Sequence, residues 1–182
     1  QAIEPANIRY TAIDEYNFLL TGIQKDELKG YYNTEDKGHT VGVFPISKKL
    51  REMIPYQSPA DVIDYLRSQA SDNGQDLLVM MDDGEKFGIY PDTYDRVYKE
   101  KWLDRFFTLL EDNQSWLKTT TFKNYWEHFT PKGLVYLPAG AYFEMGQWAL
   151  NARLQQRFSE YVEELKNEGR YDDLCPFIRG GY

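Results

Sequence analysis

Apolar positions fall along this chain in short runs, some with the spacing of a strand and some with that of a helix. Ile8-Arg9-Tyr10-Thr11-Ala12-Ile13 is a β-favouring run that stops at Asp14-Glu15. Tyr31-Tyr32-Asn33-Thr34 and Val41-Gly42-Val43-Phe44 flank Glu35-Asp36-Lys37-Gly38, which is the layout of a β-hairpin with a Gly-containing turn. Ser58-Pro59 is a helix start, with Ser as the N-cap and Pro in the first turn. Val62, Ile63, Leu66 and Ala70 then make one apolar helical face, and Asn73-Gly74 is expected to end that helix. Leu77-Leu78-Val79-Met80-Met81 is apolar throughout and reads as a strand buried on both faces, as in a parallel sheet. Trp102, Leu103, Phe106, Phe107 and Leu110 mark another helix. Leu117-Lys118-Thr119-Thr120 reads as a strand, and Tyr125, Trp126 and Phe129 suit a short helix. Leu134-Val135-Tyr136-Leu137, between Gly133 and Pro138, reads as a further buried strand. Leu154, Phe158, Tyr161, Val162 and Leu165 give the clearest amphipathic helix, ended by Gly169.

Strands that alternate with helices imply an α/β fold with parallel strands. No repeat, low-complexity linker or composition shift breaks the chain, so residues 1–182 read as a single domain. Four or five strands are too few for a closed (β/α) barrel, which takes about 250 residues; this chain would supply part of one. It starts at Gln1 and stops at Arg179-Gly180-Gly181-Tyr182, directly after a helical segment, and reads as a piece cut from a longer protein. No targeting signal is visible.

Composition narrows the classes. The 182 residues hold 21 Lys and Arg against 29 Asp and Glu, a net charge of −8. That balance argues against nucleic-acid binding, which rests on neutralising phosphates. No run approaches the roughly 20 apolar residues of a membrane span. His39, His128 and the single Cys175 cannot build a zinc cage. His39 is placed in the hairpin turn, and His128, on a short helix, reads as structural. The 16% of aromatic residues leaves two readings open: ring-rich packing, or a surface that stacks on flat ligands.

Candidate chemistry concentrates at Met80-Met81-Asp82-Asp83-Gly84-Glu85-Lys86-Phe87-Gly88, where three carboxylates follow a buried strand. Ligands of α/β folds bind at such carboxyl ends. Desolvation and like charge there raise the pKa of one carboxyl, which is what a general acid needs. A solvated acidic turn is the bland alternative. Adjacent aspartates could also hold magnesium, although no phosphate-cradling Gly-rich loop accompanies them. A second strand-to-loop passage, Tyr136 to Trp148, places Tyr142 and Trp148 where rings could stack on sugars and Glu144 where it could accept hydroxyl hydrogen bonds. Core packing and a helix N-terminal Glu would explain the same residues.

Asp82-Asp83-Gly84-Glu85-Lys86-Phe87-Gly88, followed by Pro91 and Tyr94, resembles the fourth conserved region of glycoside hydrolase family 57. Tyr32-Asn33-Thr34-Glu35-Asp36, Val43-Phe44-Pro45-Ile46, Leu50-Arg51, Leu134-Val135-Tyr136-Leu137-Pro138 and Tyr142-Phe143-Glu144-Met145-Gly146-Gln147-Trp148 are similar to it too. The resemblance covers nearly the whole chain and is strongest to the α-amylase and 4-α-glucanotransferase members. It implies a portion of a distorted (β/α)7 barrel and a retaining mechanism on α-1,4-glucan or maltooligosaccharide. With the composition, it leads us to expect no cofactor, no metal, no nucleic-acid or membrane partner, and a cytoplasmic location. By the same match Asp83 is the catalytic acid/base, and Glu85, Phe87 and Tyr90 lie near the donor sugar, with Tyr90 where members often carry Trp. Tyr142, Glu144 and Trp148 complete the substrate-binding set.

Retention needs two carboxyl groups about 5–5.5 Å apart that flank the scissile bond. By the resemblance, the nucleophile is a glutamate on an earlier strand, further upstream than the 82 residues that precede Asp83. Glu85 cannot replace it: on a continued strand it would lie about 6.6 Å from Asp83, on the same side of the bond. The resulting expectation is a glucan-active glycosidase or transglycosidase fragment with its acid/base but without its nucleophile, inactive alone. The other readings are a non-catalytic glucan-binding or structural fragment and, less favoured, a metal-dependent transferase. A cut barrel would also expose apolar surface and self-associate.

Overall fold

The computed structural model describes residues 7–138, 145 and 150–170. The chain divides into two compact units: Gln1–Pro45 with Pro131–Tyr182, and Ile46–Thr130.

In the first unit, strand β1 (Tyr10–Asp14) runs into helix α1 (Glu15–Leu19). Asp14 makes the junction: its carboxylate accepts the Tyr16 N–H at 2.9 Å and caps the helix. Strands β2 (Tyr32–Asp36) and β3 (His39–Ile46) form the expected antiparallel hairpin, with Tyr32 opposite Val43 and Asp36 opposite His39. The turn is tighter than the sequence implied. Only Lys37 and Gly38 lie between the strands, at φ of 54° and 85°. Left-handed backbone at both positions is what a two-residue type I′ turn needs. His39 is therefore a strand residue and not part of the turn. The sheet order is β1-β3-β2.

The other edge of β2 meets the 133–135 stretch. Asn33 N–H donates to the Gly133 carbonyl at 2.9 Å and Val135 N–H to the Asn33 carbonyl at 2.8 Å, and Asn33 and Leu134 form a parallel bridge. The expected buried strand over 134–137 is thus one bridge long and buried on one side. Val135 is buried, whereas Leu134 and Tyr136 are 57% and 62% exposed. Alternate side chains of extended backbone face opposite ways, and only the Val135 side meets the core of Phe18, Leu28, Tyr32 and Val43. On the opposite face of β3, Phe44 stacks on Tyr31 at 5.2 Å.

Helix α6 (Ala152–Asn167) also belongs to this unit. Asn151 caps it by accepting the Leu154 N–H at 3.1 Å. It ends in a Schellman arrangement, with Gly169 N–H bonded to the Lys166 carbonyl and Arg170 N–H to that of Leu165. Glu163, Glu164 and Lys166 lie on its solvated side.

The second unit holds α2 (Lys48–Met53), α3 (Pro59–Gln69), α4 (Trp102–Asp112) and α5 (Phe122–His128). Ser58 and Asp61 close a capping box on α3: Ser58 Oγ accepts the Asp61 N–H, and the Asp61 carboxylate accepts the Ser58 N–H. This helix stops at Gln69, before Asn73-Gly74. The latter is a separate turn in which Asn73 accepts the Gln75 N–H at 2.8 Å. Leu50, Met53, Ile54, Val62 and Trp102 form the core, against which Leu78, Met80 and Phe87 pack. Trp102 satisfies its one donor by giving Nε1–H to the Gln57 carbonyl at 2.7 Å.

The apolar run at 77–81 makes one parallel bridge within this unit, Ile46–Val79, where Ser47 N–H donates to the Val79 carbonyl at 2.9 Å. Val79 is buried, but Met81 is 53% exposed, so the run is not the two-face-buried strand its composition implied. Leu117–Thr120 forms no strand. The structure is a mixed α/β arrangement with a small sheet. The isolated Asn33–Leu134 and Ile46–Val79 bridges are parallel, and the β2–β3 hairpin is antiparallel. No helix among the described residues is long and apolar enough to cross a membrane.

Candidate functional site

The Asp82–Tyr90 passage starts where the Val79 bridge ends, and it is anchored by a buried ion cluster. The Asp82 side chain is only 3% exposed. Its carboxylate accepts from Arg51 Nη2 on α2 at 3.3 Å, from Lys86 Nζ and from the Asp83 N–H at 3.0 Å. Lys86 is itself buried and donates a second bond to the Arg51 carbonyl, with its ammonium 5.5 Å from the centre of the Tyr56 ring. Burial alone would push the Asp82 carboxyl up. The hydrogen bonds from Lys86, Arg51 and the Asp83 amide outweigh it and hold the pKa below the ordinary aspartate value. Asp82 is therefore the anionic anchor of the turn, not a raised acid. Both of its oxygens are engaged by cations, which takes from the magnesium reading one of its two ligands.

Asp83 points the other way. It is solvent-exposed, and its Oδ2 accepts the Tyr90 hydroxyl at 3.1 Å. Strand geometry does not continue past it. Gly84–Phe87 is a 3-10 turn, begun by Lys86 N–H to the Asp83 carbonyl at 3.2 Å. The spacing expected for Asp83 and Glu85 on one strand face is replaced by this turn, which leaves both residues exposed. The Glu85 carbonyl accepts from the Ile89 and Tyr90 amides at 2.9 and 3.0 Å, which folds Tyr90 back over the turn. Phe87 packs against the hydrophobic core and pins the turn from below.

Gly88 makes the reversal. Its φ is 134°, and an added Cβ would come within 2.6 Å of the Tyr98 ring. Its N–H donates to Thr93 Oγ1 at 3.1 Å, and that buried hydroxyl donates to the Tyr90 carbonyl at 2.6 Å. Thr93 thus ties the two ends of the Gly88–Tyr90 loop. The Tyr90 hydroxyl is made harder to ionise, first by its bond to Asp83 and then by the negative charge around it.

The structure brings Asp83, Glu85, Phe87 and Tyr90 into one passage. Tyr142, Glu144 and Trp148 lie outside the described residues, as does Cys175. His128 Nδ1–H donates to the Asn124 carbonyl, 2.7 Å away within α5. A cavity of about 500 Å³ opens elsewhere, on the sheet face of the first unit over Thr11, Ile13, Thr34, Val41 and Val43. Of its two carboxylates, Glu35 and Asp36, Glu35 is engaged by the Gly38 N–H and the Tyr136 hydroxyl; these hold its pKa down and commit the group to local structure. Arg51 and Lys86, which stood in the family-like motifs with no role assigned to them, support the site, and so does Thr93, which did not stand out in the sequence. The i, i+4 spacing of Asp82 and Lys86 is the one local signal that pointed to their pairing.

The sequence model of glycosyl hydrolase family 57 matches residues 1–138. A 4-alpha-glucanotransferase of Thermococcus litoralis is 43% identical over 181 residues, which is all of this chain and 27% of that protein. An alpha-amylase of Pyrococcus abyssi is 42% identical over 181 residues, again all of this chain and 28% of the relative. The crystal structure of the Thermococcus litoralis 4-alpha-glucanotransferase superposes with a TM-score of 0.94, covering 99% of this chain and 28% of that one. The chain thus spans little more than a quarter of the length of these relatives. With the family match over most of its length and a shared fold at 43% identity, this chain belongs to glycosyl hydrolase family 57.

Proposed function

We propose that these residues supply the acid/base half of a retaining active site that works on α-1,4-glucans. Asp83 protonates the glycosidic oxygen as the C1–O bond breaks and a carboxylate on the opposite face bonds to C1. Asp83, now ionised, then takes the proton from water or from a sugar 4-hydroxyl as that oxygen displaces the enzyme carboxylate. Water gives hydrolysis and the sugar gives transfer. The opposing carboxylate comes from sequence outside these 182 residues, because Glu85 shares a turn with Asp83 and cannot flank the bond with it.

Glu85 and Tyr90 line the donor side, with Phe87 beneath them, and Tyr142, Glu144 and Trp148 complete the sugar-binding set. The parallel bridges at Asn33–Leu134 and Ile46–Val79 support reading these segments as parts of strands in a (β/α)7 barrel. In this reading both units are parts of one catalytic domain.

The observation that carries the reading is the division of labour between the two aspartates. Asp82 is buried and spent on Arg51 and Lys86, while Asp83 is fixed by its neighbour and faces solvent. A positioned, solvent-facing carboxyl is what general acid–base catalysis requires. The names and 43–42% identity of the relatives support the substrate class. The test is maltooligosaccharide turnover by the complete protein in which these residues occur, wild type beside Asp83→Asn. Loss of positioned acid–base catalysis predicts a fall of about 10³-fold in kcat. An Asp83→Asn protein that turns over at the wild-type rate refutes the assignment. Products longer than the substrate distinguish transfer from hydrolysis.

A further inference from the structure

We infer that the Tyr90 hydroxyl is a positioning residue for the acid/base: it holds Asp83 Oδ2 by a hydrogen bond and thereby sets the carboxyl's orientation. The inference rests on Asp83 being that acid/base. A stacking role, which any ring at position 90 could fill, uses only the face of the side chain. The geometry instead commits the hydroxyl, at 3.1 Å from Asp83 Oδ2.

The loop is built to keep it there. Two amides, of Ile89 and Tyr90, close on the Glu85 carbonyl, and the buried Thr93 hydroxyl donates to the Tyr90 carbonyl. The Tyr90 side chain is 38% exposed, and its hydrogen bond to Asp83 fixes the ring's outer end. Asp83 is then held twice: at its backbone amide by the Asp82 carboxylate, and at its side chain by Tyr90. With Oδ2 occupied, the bond leaves Oδ1 as the oxygen that gives and takes the substrate's proton. Tyr90 keeps its own proton throughout the cycle, so no proton is gained or lost through it.

The bond to Asp83, together with the charges of Asp83, Glu85 and Asp82 that face the phenol, raises the Tyr90 pKa and keeps the hydroxyl protonated and donating. Asp82 is itself offset by Arg51 and Lys86.

The experiment compares wild type, Tyr90→Phe, Tyr90→Trp and Asp83→Asn in the complete protein that contains this segment. Each is assayed for kcat/KM on maltooligosaccharide and on a 4-nitrophenyl maltoside. This ratio reads the first displacement, in which the nitrophenolate leaves without proton assistance, so positioning of the acid shows only with the sugar leaving group. The base role of Asp83 in the second displacement is common to both substrates. For Tyr90→Phe the expected result is a kcat/KM on maltooligosaccharide lower by about tenfold, less than the roughly hundredfold or more that the acid–base group itself contributes, with little change on the nitrophenyl substrate. Tyr90→Trp keeps a stacking ring and does not restore the rate. A Tyr90→Phe enzyme with wild-type kcat/KM on maltooligosaccharide overturns the inference while leaving the Asp83 assignment intact. Equal losses on both substrates also overturn it, since that is what loosened packing alone produces. An active Asp83→Asn enzyme, or a wild type inert on glucans, overturns both readings.

Discussion

Asp82 and Asp83 are adjacent in sequence and opposite in surroundings, and the difference decides what each can be tested for. Extended backbone sends consecutive side chains to opposite sides. Asp82 goes inward to two cations and Asp83 outward to solvent. Removing the inner carboxylate leaves Lys86, itself buried, beside Arg51 with the shared anion gone. Breaking such a buried pair from one side costs about 3 kcal/mol. Asp82→Ala is therefore expected to lower the urea midpoint by that equivalent and to reduce activity through the loosened Asp83 amide. The same pair makes stability pH-dependent with a fixed sign. The folded pKa of Asp82 lies below its unfolded value, so its contribution is fully present above the ordinary aspartate pKa of about 3.9. That contribution is lost as pH falls through the depressed folded value. Unfolding free energies of wild type and Asp82→Asn, measured from pH 7 down to pH 3, should converge toward the acid end. A constant gap would show that the carboxylate's charge is not what stabilises the turn.

At the level of elements, helices and connections behave differently because their information is local to different degrees. The start of α3 is written in four consecutive residues: Ser58, Pro59, Ala60 and Asp61 contain the cap, the N-terminal proline and the reciprocal acid. Ser58→Ala should cost about 1 kcal/mol in thermal or urea unfolding. An unchanged midpoint would mean that tertiary packing alone sets the helix start. The Lys37-Gly38 hairpin and α6 were readable for the same reason, through turn chemistry in one case and a 3.6-residue apolar period in the other. The runs at 77–81 and 134–137 were not. Their apolar content announced burial, but the length of a strand depends on its pairing partners. Val79 meets Ile46, and Leu134 meets Asn33, at sequence separations that no local pattern encodes. The site divides along the same line. Asp83 and its glycines stood out as a cluster, and so did Tyr90 through the family resemblance. Arg51 stood in a family-like motif, but its pairing with Asp82, 31 residues later, became visible only when the fold placed it.

At the scale of the whole chain, the apolar surface and the net charge pull in opposite directions. Ile89, Phe107 and Tyr98 in the second unit, and Leu134, Tyr136 and Tyr161 in the first, are each about half exposed or more, with Ile89 at 78%. Exposed rings and branched side chains in such number favour contact with other apolar surface. A net charge of −8 opposes the approach of a second copy. Salt screens that repulsion, with a Debye length of about 10 Å at 0.1 M, and leaves burial of apolar area essentially undiminished. The isolated 182-residue chain is therefore expected to self-associate in the micromolar range, and the association should strengthen as salt rises from about 0.05 M to 0.5 M. Sedimentation velocity across a concentration series at both salt levels reads this directly. A chain that stays monomeric throughout would mean that its exposed apolar side chains are too dispersed to form a contact. Association that weakens with salt would mean that opposite charges, and not apolar faces, draw the copies together.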